Sequence, residues 1–170
     1  GCGPKVIDAL LDAELIGNFD DLFTLTEGDV LTLDRFAKKS AENLIKSINK
    51  ARTVTLGKFL TALSIEHVGE ETAHDLAESF GTIEKMRGAS LEDFNSMYGV
   101  GEVVAQSLAD WFADDHHSAL IDRLLEQVII ESPKKIKSKN QKFAGQTFVL
   151  TGTMEGMHRD EAKEKIRALG

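Results

Sequence analysis

Apolar residues recur at helical spacing through most of the first 131 positions, and that period predicts a succession of short helices. Val6, Ile7, Leu10, Leu11 and Leu15 give a helix over about 4–14, with Pro4 at the first helical position, where its missing N–H costs nothing. Gly17-Asn18 ends it, and Asp20, Asp21 and Leu22 begin a short helical turn. Thr26-Glu27-Gly28-Asp29 has the form of a capping box and opens a short helix carrying Val30, Leu31 and Leu33. Ala41, Leu44, Ile45 and Ile48 predict a helix over about 38–51. The connector Arg52-Thr53-Val54-Thr55 leads to a helix with Phe59, Leu60 and Leu63. Ala73, Leu76, Ala77 and Phe80 mark a helix over about 70–80, stopped by Gly81. Ser90-Leu91-Glu92-Asp93 is a second capping box, ahead of Phe94 and Met97. A helix starting after Gly101 runs to Trp111 and Phe112, and Asp114 or Asp115 caps one more, with Leu120, Ile121, Leu124 and Leu125.

The phase of these helices repeats. With Gly3, Ala37, Gly69 and Gly101 aligned, the separations are 34, 32 and 32 residues. The residue before each is apolar (Cys2, Phe36, Val68, Val100), and the fourth after each is apolar or small (Ile7, Ala41, Ala73, Ala105). The seventh after each is leucine: Leu10, Leu44, Leu76 and Leu108. Unrelated amphipathic helices would not reproduce the phase of a turn four times, so the chain reads as four copies of one turn-helix unit. The fullest copy is Tyr98-Gly99-Val100-Gly101, which has both glycines and a leading helix. A tight turn of this kind directs the first N–H groups of a helix outward, where an anion can use them.

Charge divides the chain further. Residues 1–131 hold 11 Lys/Arg against 24 Asp/Glu, a net of −13. Residues 132–142 hold five lysines and no acid, and residues 143–170 are neutral. So acidic a body excludes a broad electrostatic footprint on nucleic acid; any contact must be local, through loops and a few basic side chains. Residues 132–142 lack an apolar period and read as a basic linker. Beyond them, Thr147 to Thr151 predicts a strand, broken by Gly152, and Arg159 to Leu169 a helix with Ala162, Ile166 and Leu169 on one face. One strand and one helix cannot bury themselves, which makes residues 143–170 a truncated domain or a flexible appendage.

Two prolines, and nine phenylalanines among eleven aromatics, suit packed helices. No run of about 18 apolar residues predicts a membrane span, and no basic-then-apolar stretch predicts a signal peptide. The chain opens inside a motif, as a cut chain would. Cys2 is the only cysteine, which excludes an internal disulfide and a Cys-based zinc cluster and fits a reducing, intracellular setting. His116-His117 point apart on a helix, so no metal is expected there. His67, His74 and His158 are scattered. Glu70-Glu71 and Asp114-Asp115 read as helix caps and solvated faces rather than acid–base or Mg²⁺ sites, and Trp111 and Phe112 as core. Arg52 and Lys58, beside the connector, read as a solvated face.

The turn-helix unit, with a short helix before it, resembles the helix-hairpin-helix motif. Four copies in this order resemble the corresponding region of the bacterial NAD-dependent DNA ligases, as do Gly3-Pro4-Lys5-Val6-Ile7, Lys39-Ser40-Ala41-Glu42-Asn43-Leu44 and His67-Val68-Gly69-Glu70-Glu71-Thr72-Ala73. Residues 143–153 and Arg159-Asp160-Glu161-Ala162 resemble the opening of the BRCT domain that ends these enzymes. The resemblance implies a mainly α fold: four helix-hairpin-helix motifs over residues 1–131, the basic linker 132–142, and a truncated α/β BRCT segment over 143–170. It implies sequence-independent grip on the backbone of nicked double-stranded DNA, within a ligase that seals nicks in replication and repair in the bacterial cytoplasm, at the nucleoid. The DNA-backbone-binding residues it implies are Gly3, Lys5, Lys38, Lys39, Gly69, Thr72, Gly99, Val100 and Gly101.

The parent enzyme would use NAD, Mg and Zn through regions not present here, so no catalytic residue, metal ligand, cofactor or small-molecule substrate is expected in these 170 residues, and the chain is expected to be monomeric. Departures from the pattern bear on the second and third turns. Arg35-Phe36-Ala37 stands where the motif has Gly-apolar-Gly, so the second turn is expected to be altered, and His67 replaces the first glycine of the third. Glu70, Glu71 and Glu102 suit the helix dipole but compete with phosphate. Thr151-Gly152 resembles part of a phosphopeptide pocket, most of which is missing, and no such activity is expected. Two alternatives keep the helical fold: the hairpin region of another DNA repair protein, and a helical protein-interaction module without DNA binding.

Overall fold

Local signals shape the first of two compact units, Gly1–Pro133 and Lys134–Gly170, in a computed structural model that describes residues 2–131, 143, 146, 148–150, 156, 157, 159–167 and 169. Its helices are α1 (Pro4–Asp12), α2 (Glu27–Leu31), α3 (Lys38–Lys50), α4 (Leu56–Ala62), α5 (Glu70–Phe80), α6 (Ile83–Arg87), α7 (Leu91–Asn95), α8 (Glu102–Ala113) and α9 (Asp115–Gln127), with a 3-10 turn at Asp20–Phe23. Both capping boxes form. The Thr26 and Ser90 hydroxyl oxygens accept from the amides of Asp29 and Asp93, whose carboxylates accept in return from the amides of Thr26 and Ser90. Asp114 caps α9, accepting from the amides of His116 and His117 at 2.8 and 3.0 Å. Gly81 ends α5 in the left-handed region, at φ 75°, a conformation glycine takes without steric cost.

The helices pack as two successive tandems of hairpins. In the first, Leu10, Ile16 and Leu33 form one small buried cluster and Val30, Ala41, Leu44 and Ile48 another; Val6, Leu25 and Phe36 pack against both. In the second, one larger core runs from Leu56 to Val128 and includes Val68, Leu76, Met86, Phe94, Val100 and Leu108. Phe94 is fully buried, 5.4 Å from Phe80 and 6.2 Å from Phe112 between ring centroids. Trp111 and Phe112 lie against this core, as their position on the helix predicts.

Two elements escape the apolar period. Helix α6 is only five residues long, started by the Thr82 hydroxyl and fixed by buried Ile83 and Met86. A two-stranded parallel pair, β1 (Thr53–Thr55) and β2 (Ile129–Glu131), joins the connector to the end of α9. Arg52 stands at this junction and is not a solvated side chain. It donates to the Gln127 carbonyl at 3.0 Å, to the Gln127 side chain at 3.2 Å and to the Phe23 carbonyl, with its guanidinium 5.3 Å from the Phe23 ring centroid. Arg123 meets Asp20 at 3.2 Å. The two arginines therefore knit the first tandem to the second.

In the second unit, α10 (Arg159–Arg167) forms where its apolar period places it, with Ala162 buried and Glu161 2.9 Å from Lys165. The rings of Phe143 and Phe148 meet at 4.9 Å. The expected strand is not formed at the described residues 148–150: β-propensity needs a ladder partner, and no strand pairs with them among the described residues. Thr147, Thr151, Gly152 and His158 lie outside the described residues, as do the basic linker 132–142 and Gly1.

Candidate nucleic-acid interface

The second, third and fourth repeats place the same turn in the same conformation. Residues Arg35, His67 and Gly99 hold φ of 70, 63 and 81°, and in each the following amide donates three residues back: Phe36 to Leu33 at 3.3 Å, Val68 to Ile65 at 3.1 Å, Val100 to Met97 at 3.2 Å. The second turn is thus not altered by its sequence. Arg35 simply takes the left-handed conformation, at a cost of about 1–2 kcal/mol relative to glycine, and His67 does the same. The buried apolar residue that follows (Val68, Val100) or half-buried Phe36 roots the turn in the core, and that anchoring over-determines the strained position.

The next residue caps the helix with extended backbone: Gly3 at φ −88°, Ala37 at −97°, Gly69 at −82° and Gly101 at −82°. Any residue adopts such angles, and Ala37 shows that a side chain is compatible with them. A Cβ at Gly3, Gly69 or Gly101 would meet no heavy atom within 4 Å. Neither backbone angle nor internal packing therefore requires these three glycines. They leave helix starts with no side-chain cap, so the first amides of α5 and α8 face outward past a bare backbone; in α1, where Pro4 has no N–H and the Val6 amide donates to the Gly3 carbonyl at 2.9 Å, the Lys5 amide is the one left. The start of α3 likewise has no side-chain cap, and the amide of its cap residue Ala37 donates to the Ser40 hydroxyl at 2.9 Å.

The predicted site residues divide between the tandems. Gly3 and Lys5 begin α1; Lys38 and Lys39 are the first two residues of α3 and are exposed, like Lys5. Shared packing of Val6 and Phe36 brings these two helix starts to the same part of the first tandem. Gly69, with half-buried Thr72 in the first turn of α5, and exposed Gly99 and Gly101 belong to the second. Val68 and Val100 share its core. Val100 itself is buried, 9% exposed, so it positions the turn and offers no side chain to a ligand.

Electrostatics separates the tandems in a way the total charge hides. Residues 1–50 hold six Lys/Arg and nine Asp/Glu, a net of −3; residues 56–131 hold four and fifteen, a net of −11. Helices α1 and α3 have no acid in the first turn, whereas α5 has Glu70 and Glu71 and α8 has Glu102. Lysines at helix starts oppose the macrodipole and acids favour it. The starts of α1 and α3 are therefore arranged against helix stability and in favour of an incoming anion.

Sequence reasoning passed over Arg35 and Tyr98, the residues at and just before a left-handed position; both are exposed, Tyr98 fully. Of the histidine pair, His117 is structural: it stacks on Trp111 at 4.3 Å, and its Nδ1 lies 3.1 Å from the Trp111 carbonyl, whereas His116 is exposed. Among the described residues no group of three or more His, Cys, Asp or Glu is arranged to hold a metal, and no helix is long and apolar enough to cross a membrane.

Comparison with known families gives one match within each tandem. Residues 1–50 match the SAM-like helix-hairpin-helix tandem, and residues 58–121 match the helix-hairpin-helix motif. Motifs of this kind typically bind double-stranded DNA without sequence preference. Each tandem of the first unit thus carries one match to a helix-hairpin-helix family, over residues 1–50 in the first and 58–121 in the second.

Proposed function

We propose that the hairpin turns hold duplex DNA by its sugar-phosphate backbone, across a nick, as the gripping part of an NAD-dependent DNA ligase. The observation that carries the backbone grip is the set of three cap glycines, which neither the fold nor its packing requires. Bare helix starts let a phosphate approach the backbone amides closely, and such contacts position a duplex without reading bases. At the second hairpin, where Ala37 carries a Cβ, Lys38 and Lys39 supply reach instead of close approach.

The ligase context rests on the order of four hairpins, a basic linker and a segment resembling the start of a BRCT domain. It places the parent protein in the bacterial cytoplasm, in replication and repair. A single cysteine cannot build the four-Cys zinc site of such an enzyme; that site, and those for NAD and Mg, belong in this reading to other regions of the parent protein. This stretch grips DNA and does not seal it.

Titration of the chain against fluorescent nicked duplex, intact duplex and single strand at low salt tests the reading. Tighter binding to both duplexes than to the single strand is expected, with the nicked duplex at least equal to the intact one. Equal, weak association with all three would contradict it and favour a protein-interaction module, the role to which the −11 charge of the second tandem is better suited.

A further inference from the structure

The lysines of α3 do not stop at its first turn. Lys39, Lys46 and Lys50 fall within about 40° of one another on a wheel of 100° per residue, with Asn43 beside them. This face lies opposite the buried Ala41, Leu44 and Ile48, and all three lysines are exposed. Lys46 and Lys50 are one turn apart, a like-charge spacing that works against the helix. Glu42, the one acid of α3, makes no ion pair with Lys46, and none of the three lysines has an ion pair among the described residues.

Three arginines of the first unit, by contrast, are used internally: Arg52 on carbonyls, Arg87 on Asp122 at 2.6 Å, Arg123 on Asp20 at 3.2 Å. Five of the seven lysines of residues 1–131 lie within the first 50, four of them on α3. A helix rises about 1.5 Å per residue, so Lys39, Lys46 and Lys50 form a track roughly 16 Å long.

We propose that this outer face of α3 is a second contact with the duplex backbone, continuous with Lys38 and Lys39 at the second hairpin. The first tandem thereby supplies most of the charge neutralisation, and the more acidic second tandem grips through bare backbone amides. The inference rests on the backbone-binding reading above. Its occupant is a phosphate strand because the lysines outnumber Glu42, the single acid on this side of α3, and Lys39, Asn43, Lys46 and Lys50 include no apolar anchor for a protein partner.

The test compares the unsubstituted chain with K46Q/K50Q and K38Q/K39Q, using the salt dependence of binding to the same nicked duplex. Each phosphate that a lysine no longer neutralises lowers the slope of log K against log salt by about 0.9, so K46Q/K50Q is expected to lower it by about 1.8. Gln matches Lys in helix propensity, and superimposable thermal melts would show that folding is unchanged. An unchanged slope and affinity in K46Q/K50Q, with K38Q/K39Q weakened, would overturn the α3 inference and leave the hairpin reading standing. Failure of the unsubstituted chain to bind at low salt would overturn both and turn the search to an acidic protein partner.

Discussion

Two glycines of the fourth hairpin, two residues apart, are predicted to fail in opposite ways when replaced by alanine. Gly99 sits at φ 81° with open space around its missing side chain. An alanine there meets no neighbour but must hold a left-handed conformation, at a cost of about 1–2 kcal/mol. The reduced chain freedom of the unfolded state returns about 0.4–1 kcal/mol, leaving a net destabilisation near 1 kcal/mol. For a body of this size that lowers Tm by about 3 °C. Gly101 sits at φ −82° and ψ 166°, also with open space. Alanine gains the same unfolded-state term but caps a helix less well than glycine, and the two effects leave stability within about 0.5 kcal/mol of the original. Its methyl group, however, would stand where the proposed grip needs a phosphate to approach. Removing one charge-assisted amide hydrogen bond of about 1.5 kcal/mol weakens duplex binding by about tenfold. Calorimetric melts and anisotropy titrations of both variants read the two effects separately. The reasoning fails if Gly101→Ala melts as low as Gly99→Ala, or if it melts and binds like the original chain. His67→Gly is the reciprocal control: relief of the strained turn should raise Tm by about 2 °C.

Other outcomes follow from the same contacts. Arg52→Ala strips three acceptors of their donor at the joint between tandems and should cost about 2 kcal/mol, seen as a lower urea midpoint, with Arg52→Lys rescuing little. Ser90→Ala should cost about 1 kcal/mol by removing the cap of α7. Acid should destabilise the fold. Asp29 and Asp93 are held below the ordinary carboxylate range chiefly by the Thr26 and Ser90 hydroxyls, and then by the amides of the same residues. The amides of Gly17 and Asn18 do the same for Asp21, and those of His117 and His116 for Asp114. A carboxyl with a depressed folded value adds stability that is complete above its unfolded value, about pH 4, and drains away as pH falls through the folded one. Melts at pH 6 and pH 3 should therefore separate, and Asp93→Asn should narrow the gap.

What the sequence makes legible is whatever repeats or carries a local signal. The turn recurs in phase, so four hairpins and their cap positions can be placed from Gly3, Ala37, Gly69 and Gly101 alone; Thr26, Ser90 and Asp114 mark the starts of α2, α7 and α9 chemically. Helix α6 is too short for a period to register, and β1 and β2 are three residues each, far apart in sequence. The role of Arg52 depends on carbonyls 29 and 75 positions away, and no local pattern encodes that. Arg35 defeats the expectation of a distorted second turn because packing of Phe36 outweighs a local preference of only about 1–2 kcal/mol. The charge asymmetry is present in the sequence, but it acquires meaning only once packing divides the body at the connector and shows which arginines are already engaged.

The central claim is that the starts of the hairpin helices hold phosphate. Backbone amide NMR of the chain, titrated with nicked duplex at low salt, tests it most directly. The account predicts that the largest shifts fall at the amides of residues 5–7, 37–40, 69–72 and 101–104, grow together, and collapse as salt is raised. Shifts concentrated on the outer surface of α9, with those amides unmoved, would contradict it.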